Sequence, residues 1–218
     1  MIDAQIKRCC LPKMKYLVMA IVLLGSTSAN AAIVDQVAGL TTFVTTGADM
    51  TGMTVHAYFE NGIDQLQAWS SYGGTSGGVA GTSWGLSVTG DTYVNEWSFT
   101  NTTGSKLTKL ELDGTNGSTV FDTDFGGLVG TSNSSFGGDF WSVTSGYTYS
   151  YANAVGIGGA APVGDIYHKL NVNFASGIAG NWTFAQDTDT VSAVPVPAAV
   201  WLLGSGLLGM AGFARKSS

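Results

Sequence analysis

Cysteine, histidine and positive charge are the scarce materials of this 218-residue chain. Its only cysteines are Cys9 and Cys10, both ahead of the cleavage site argued below, so no disulfide can staple the chain that follows. Two histidines, His56 and His168, are too few for a three-histidine metal site and leave two candidates for a general base. Between residues 32 and 194 the only basic residues are Lys106, Lys109 and Lys169, against fourteen of the fifteen acidic ones. A stretch this acidic lacks the concentrated positive charge that phosphate binding needs, which excludes nucleic acid as a partner. Proline is scarce too, at four, and the 31 glycines follow no three-residue period, which excludes collagen. What the chain does have is 44% hydrophobic and 11% aromatic residues, enough for a packed core and too many for a disordered chain.

The other six basic residues sit at the two ends: Lys7, Arg8, Lys13, Lys15, Arg215 and Lys216. At the start they precede the apolar run Tyr16 to Leu24 and the small-residue exit Gly25-Ser-Thr-Ser-Ala-Asn-Ala31. That order reads as an export signal over residues 1–31, recognised by the export machinery and cut by signal peptidase after Ala31, with Ala29 and Ala31 as the small residues the peptidase requires. Ser26 stands where a lipoprotein signal would need cysteine, so the new N-terminus is expected to be free of lipid.

At the other end, residues 198–214 (Ala198 to Ala214) hold no charge and are followed at once by Arg215 and Lys216. As a helix these seventeen residues would span roughly 26 Å, the short end for a membrane crossing. Four glycines would weaken a soluble helix but are tolerated in a bilayer, and the basic pair would stay on the cytoplasmic side, leaving the preceding domain outside.

The tail from Val194 to Lys216 carries a family resemblance. Pro195 and Pro197, Ala198, Trp201, the Gly-Ser-Gly of 204–206, the Leu-Leu-Gly of 207–209 and the final Arg215-Lys216 occur in an order similar to the PEP-CTERM sorting signal in its VPLPA-CTERM variant, with Val196 where that variant has leucine. The resemblance covers residues 194–216 of a sorting segment taken as 191–218. It implies a Gram-negative exported protein that is anchored transiently in the inner membrane, then recognised and cut by an exosortase, a membrane peptidase. It further implies display at the cell surface or release, in association with extracellular polysaccharide.

Residues 32–190 read as an all-β domain. Hydrophobicity alternates with period two in Trp84–Val88, Trp97–Phe99, Leu110–Leu112, Tyr147–Tyr151 and Ile166–Phe174, and polar, glycine-containing breaks recur every eight to twelve residues. About ten strands without a helical stretch predict an antiparallel, jelly-roll-like β-sandwich. Asn101–Gly104 reads as a hairpin loop, Asp113–Gly117 as the next turn, and the glycine-rich residues 73–82 as a flexible loop.

Signs of chemistry are few. Ser76 and Ser83 each match Gly-x-Ser-x-Gly, but neither has the strand before and helix after that a nucleophile elbow needs. His168, in phase with Ile166, Leu170 and Val172, reads as a core residue. Tyr147, Tyr149 and Tyr151 share one face of a strand and read either as core packing or as an exposed stacking stripe for sugars, with Trp141 as a further aromatic candidate. Asp122-Thr-Asp124 and Asp187-Thr-Asp189 are Asp-x-Asp pairs that read either as solvated turn aspartates or as calcium ligands, since calcium collects several oxygen donors.

No convergent catalytic cluster appears and no organic cofactor is implied. The expectation is therefore a non-enzymatic surface or matrix protein, structural or adhesive in the extracellular polymer layer. The alternatives are a carbohydrate-binding β-sandwich and, behind it, a secreted hydrolase.

Overall fold

The computed structural model describes residues 35–42, 44–123 and 137–192. The residues expected to form the export signal, those from 194 onward expected to form the sorting signal and its membrane helix, and Asp124 lie outside the described residues. Among the described residues no helix is long and apolar enough to cross a membrane.

The described residues form strands β1 (Asp35–Val37), β2 (Gly39–Thr42), β3 (Thr54–Phe59), β4 (Asp64–Ala68), β5 (Ser70–Gly73), β6 (Ser76–Gly81) and β7 (Trp84–Thr89). They continue with β8 (Trp97–Asn101), β9 (Leu107–Asp113), β10 (Thr119–Asp122), β11 (Tyr147–Ile157), β12 (Ile166–Ile178), β13 (Trp182–Phe184) and β14 (Thr188–Ser192). The one helical turn among them is a 3-10 turn over Thr115–Gly117, inside the expected Asp113–Gly117 turn. One sheet runs β2-β14-β10-β12-β9-β3-β4, with β11 also on β12 and β1 on β11. The other runs β13-β8-β7-β6-β5. Every pairing is antiparallel except β1 with β11. The described residues are all-β apart from that one turn.

Both sheets bury one common core, the arrangement of a β-sandwich. Alternation decides which residues enter it: Val55, Ala57 and Phe59 from β3 meet Trp84, Leu86 and Val88 from β7 and Trp97 and Phe99 from β8. On β9 the alternation breaks, with Leu107 buried and the next buried leucines at 110 and 112, because register slips against both β3 and β12 insert a bulge there. Phe184 is stacked on both Trp97 and Trp182, with ring centroids 5.5 and 4.7 Å away. Each indole N–H finds an acceptor, Trp97 on the Gln186 carbonyl at 2.9 Å and Trp182 on Ser142 Oγ at 2.8 Å. Each buried large apolar side chain contributes roughly 1.5–3 kcal/mol, so this aromatic centre stabilises the domain in the absence of disulfides.

Two local expectations fail. Residues 73–82 are not a flexible loop: β6 lies inside the second sheet, paired with β5 and β7, and Gly77, Gly78 and Val79 are buried. Its glycines allow close backbone approach; a Cβ on Gly78 would lie 2.4 Å from the Leu86 carbonyl oxygen. Nor do residues 101–104 close a hairpin, because β8 and β9 belong to different sheets. Asn101 Oδ1 accepts from the Thr103 amide at 3.0 Å while its Nδ2 donates to the Ser105 carbonyl at 2.8 Å, folding the loop on itself and carrying the chain across the sandwich.

Candidate functional site

Strands β10 and β14 place three carboxyl groups together. Val120 lies opposite Asp189 and Phe121 opposite Thr188, so Asp122 and Asp187 come next along the same ladder. Asp187 and Asp189, two apart in extended chain, point to one side. All three are buried, and one carboxylate oxygen from each lies within 4.8 Å of the others. The sequence reading had two separate Asp-x-Asp pairs, solvated or calcium-binding. The structure combines one member of the first with both of the second, and their burial removes the solvated-turn reading for these three. Asp124 lies outside the described residues.

The surroundings hold the trio tightly. Gly137 passes so close that a Cβ there would come 2.3 Å from Asp122 Oδ1. Gly138 N–H donates to the Asp122 carbonyl at 3.2 Å, and its own carbonyl accepts from the Asp187 amide at 3.3 Å. Thr92 Oγ1 donates to Asp187 Oδ1 at 3.2 Å, whereas Asp187 Oδ2 is buried without a hydrogen-bond partner. Burial, reinforced by the neighbouring charges of Asp189 and Asp122, pushes the Asp187 carboxyl up to about 8.

The tyrosine face resolves into packing with one exposed member. Tyr147 and Tyr151 pack against the main core, while Tyr149 is 38% exposed. Their hydroxyls are committed: Tyr149 donates to Asp139 Oδ2 at 2.7 Å, and the Tyr151 oxygen lies 2.9 Å from Asp139 Oδ1 and 2.6 Å from Gln186 Oε1. The Asp139 hydrogen bond holds Tyr149 up at about 12, and burial raises Tyr151 further. Trp141 is 53% exposed on the neighbouring segment.

A second polar cluster, which the sequence reading missed, covers the outer face of β4, β3 and β9. His56 Nε2 is 2.6 Å from Asp64 Oδ2, and His56 Nδ1 is 2.8 Å from the Tyr58 hydroxyl, which donates to Glu111 Oε2 at 2.6 Å. Glu111 is also paired with Lys109 at 2.5 Å. Burial acts to raise the Glu111 carboxyl, but the Lys109 and Tyr58 hydrogen bonds outweigh it and hold it below the ordinary range. The Glu111 bond in turn lifts Tyr58 to about 12. The alternation of His56 and Tyr58 on one strand was visible; their cross-strand partners were not.

Both nitrogens of His56 are thus engaged by Asp64 and Tyr58. Ser76 Oγ pairs with Thr89 Oγ1 at 2.9 Å, and Ser83 sits with φ 63° in the tight turn between β6 and β7. His168 is buried as expected, with Nδ1 donating to the Thr119 carbonyl at 3.3 Å. Neither serine is bonded to a histidine among the described residues.

No family model, no curated protein and no solved structure matches this chain.

Proposed function

We propose that the chain is an exported surface or extracellular-matrix protein, cut by an exosortase-type membrane peptidase and serving a structural or adhesive, non-enzymatic role in the extracellular polymer layer of a Gram-negative bacterium. One observation carries this reading. The strands run from Asp35 to Ser192, beginning four positions after Ala31 and ending two positions before Val194. Both expected cuts therefore fall outside the sandwich, and a chain trimmed at both keeps every described strand. Residues 198–214 hold the domain in the inner membrane until the second cut.

The sandwich itself is jelly-roll-like in this reading. The chain crosses between sheets from β4 to β5, from β8 to β9, from β12 to β13 and from β13 to β14, as winding of that kind demands. Terminal mass spectrometry of the protein recovered from cells tests the proposal. An N-terminus at Ala32 and a C-terminus near Pro195 or Pro197 support it, and recovery of an intact Ser218 from peptidase-competent cells sinks it.

One observation favours a second reading, a carbohydrate-binding module. Trp141 is 53% and Tyr149 38% exposed, so each offers an accessible aromatic face on which a sugar ring can stack. Retention on immobilised polysaccharide that disappears in Trp141→Ala would favour it over a purely structural role.

A further inference from the structure

Asp187 is 1% exposed, and its Oδ2 has no hydrogen-bond partner although two other carboxyl groups stand beside it. Taking a buried carboxylate such as Asp187 out of water is costly unless something compensates its charge. The three lysines of the domain are engaged elsewhere: Lys109 with Glu111, Lys169 with Asp113, and Lys106 with the Ser176 carbonyl.

We propose that Asp122, Asp187 and Asp189 are the carboxylate ligands of a calcium ion that fastens β14 to β10. The donor chemistry selects the ion. The three side chains offer only hard anionic oxygens, and Thr92 places a neutral hydroxyl 3.2 Å from Asp187 Oδ1. Nitrogen or sulfur donors, which zinc prefers, are missing from the trio. Two oxygens on opposite sides of a calcium ion at about 2.4 Å are about 4.8 Å apart, and the three carboxylate oxygens lie within 4.8 Å of one another. Gly137 adds a backbone cradle, since any side chain there would collide with Asp122.

The consequence is mechanical. Asp189 lies in the final strand and Asp187 immediately before it, so the ion ties down the segment that leads into the sorting residues. Calcium sites of extracellular modules fill at about 0.1–1 mM, so the clamp closes where external calcium is met. That timing rests on the export reading above; the binding does not.

The test uses the full-length chain in mild detergent, stripped with chelator and titrated with calcium alone. The melting temperature should rise and saturate at one ion per chain. Terbium(III) should bind in competition with calcium and emit under tryptophan excitation, because the Trp97 indole is bonded to the Gln186 carbonyl beside Asp187. Asp122→Asn and Asp187→Asn should lose both responses. In chelator, Asp187→Asn should melt above the wild type, since it relieves repulsion while keeping shape. A wild-type chain indifferent to calcium, or a response that persists in both variants, overturns the site. If neither variant folds, the wild-type terbium titration decides, and lack of competition with calcium overturns the proposal. A calcium response in a protein that retains Ser218 on cells leaves the ion site standing and removes only the sorting reading.

Discussion

Gly47 and Gly77 meet backbone to backbone: a Cβ on Gly77 would lie 1.9 Å from the Gly47 carbonyl oxygen, the same oxygen that accepts the Trp69 indole N–H at 2.7 Å. Adding one methyl group at Gly77 therefore pushes against rigid backbone and threatens a buried hydrogen bond at once. Gly77→Ala is expected to destabilise the full-length protein by about 3 kcal/mol or more, near the top of the range for overpacking. Gly39→Ala meets nothing within 4 Å and should stay within about 0.5 kcal/mol of wild type. Thermal melts followed by circular dichroism check both; equal effects would refute the close-approach account.

The same pair shows where sequence reading stops. Trp84–Val88 and Ile166–Phe174 were legible because each residue's face follows from its neighbour two positions away. Gly77 and Gly78 looked like loop because the reason for their lack of side chain lies on another segment, at Gly47 and Leu86. Residues 101–104 carried true turn chemistry, yet nothing local tells a turn within a sheet from a crossing between sheets. The aspartate trio was half legible. Both Asp-x-Asp pairs stood out, but the union of Asp122 with Asp187 and Asp189 depends on β10 pairing with β14, a contact more than sixty residues apart along the chain.

Asp187 gives the cation-free protein a pH signature. Its carboxyl is raised from the ordinary 3.8 to about 8 in the fold, so the folded chain holds a proton that the unfolded chain releases. That contribution is fully present below about pH 4 and is lost as pH rises toward 8, so in chelator the melting temperature should fall across this window. Asp187→Asn should flatten that slope. A cation-free stability that rises from pH 4 to 8 and does not respond to Asp187→Asn would contradict the buried, like-charged setting.

The tyrosines report on a second pair of networks. Tyr58 and Tyr149 are each held at about 12, chiefly by hydrogen bonds to Glu111 and Asp139 respectively, above the ordinary 10. Raised folded values mean that these bonds stabilise the protein fully below pH 10 and are lost as pH climbs through 12. An ultraviolet titration should show the two phenols ionising late in the folded protein and normally once it is unfolded. Glu111→Gln should return Tyr58 toward 10 and leave Tyr149 unchanged.

Tyr151 should be more costly to alter than its neighbour. Its oxygen accepts the Phe140 amide at 2.9 Å and approaches both Asp139 and Gln186, while Tyr149 makes one exposed bond. Tyr151→Phe leaves buried polar atoms without a partner and should cost about 1–3 kcal/mol, against under about 1 kcal/mol for Tyr149→Phe. Denaturant melts of the two variants check the order, and a larger loss from Tyr149→Phe would show that burial of the hydroxyl is not what matters.

The position of β14 constrains where a sorting peptidase can cut without ruining its product. β14 is not an edge: it lies between β2 and β10, Val191 is buried, and the Val191 amide donates to the Ser118 carbonyl at 2.8 Å. A cut before Asp187 removes that interior strand together with two of the three clustered carboxylates. A cut after Ser192 leaves every described pairing intact, and the prolines at 195 and 197 lie just beyond, in chain that cannot extend the ladder normally. A stop codon after Ser192 should therefore leave the β-sheet spectrum and melting temperature near those of the full chain, whereas a stop after Gln186 should abolish cooperative melting. In cells, Pro195→Ala together with Pro197→Ala should retain the full-length form in the membrane without lowering its melting temperature, because neither proline belongs to a described strand. Loss of the fold on truncation after Ser192 would mean that the domain needs the tail, and the two-cut reading would fall with it.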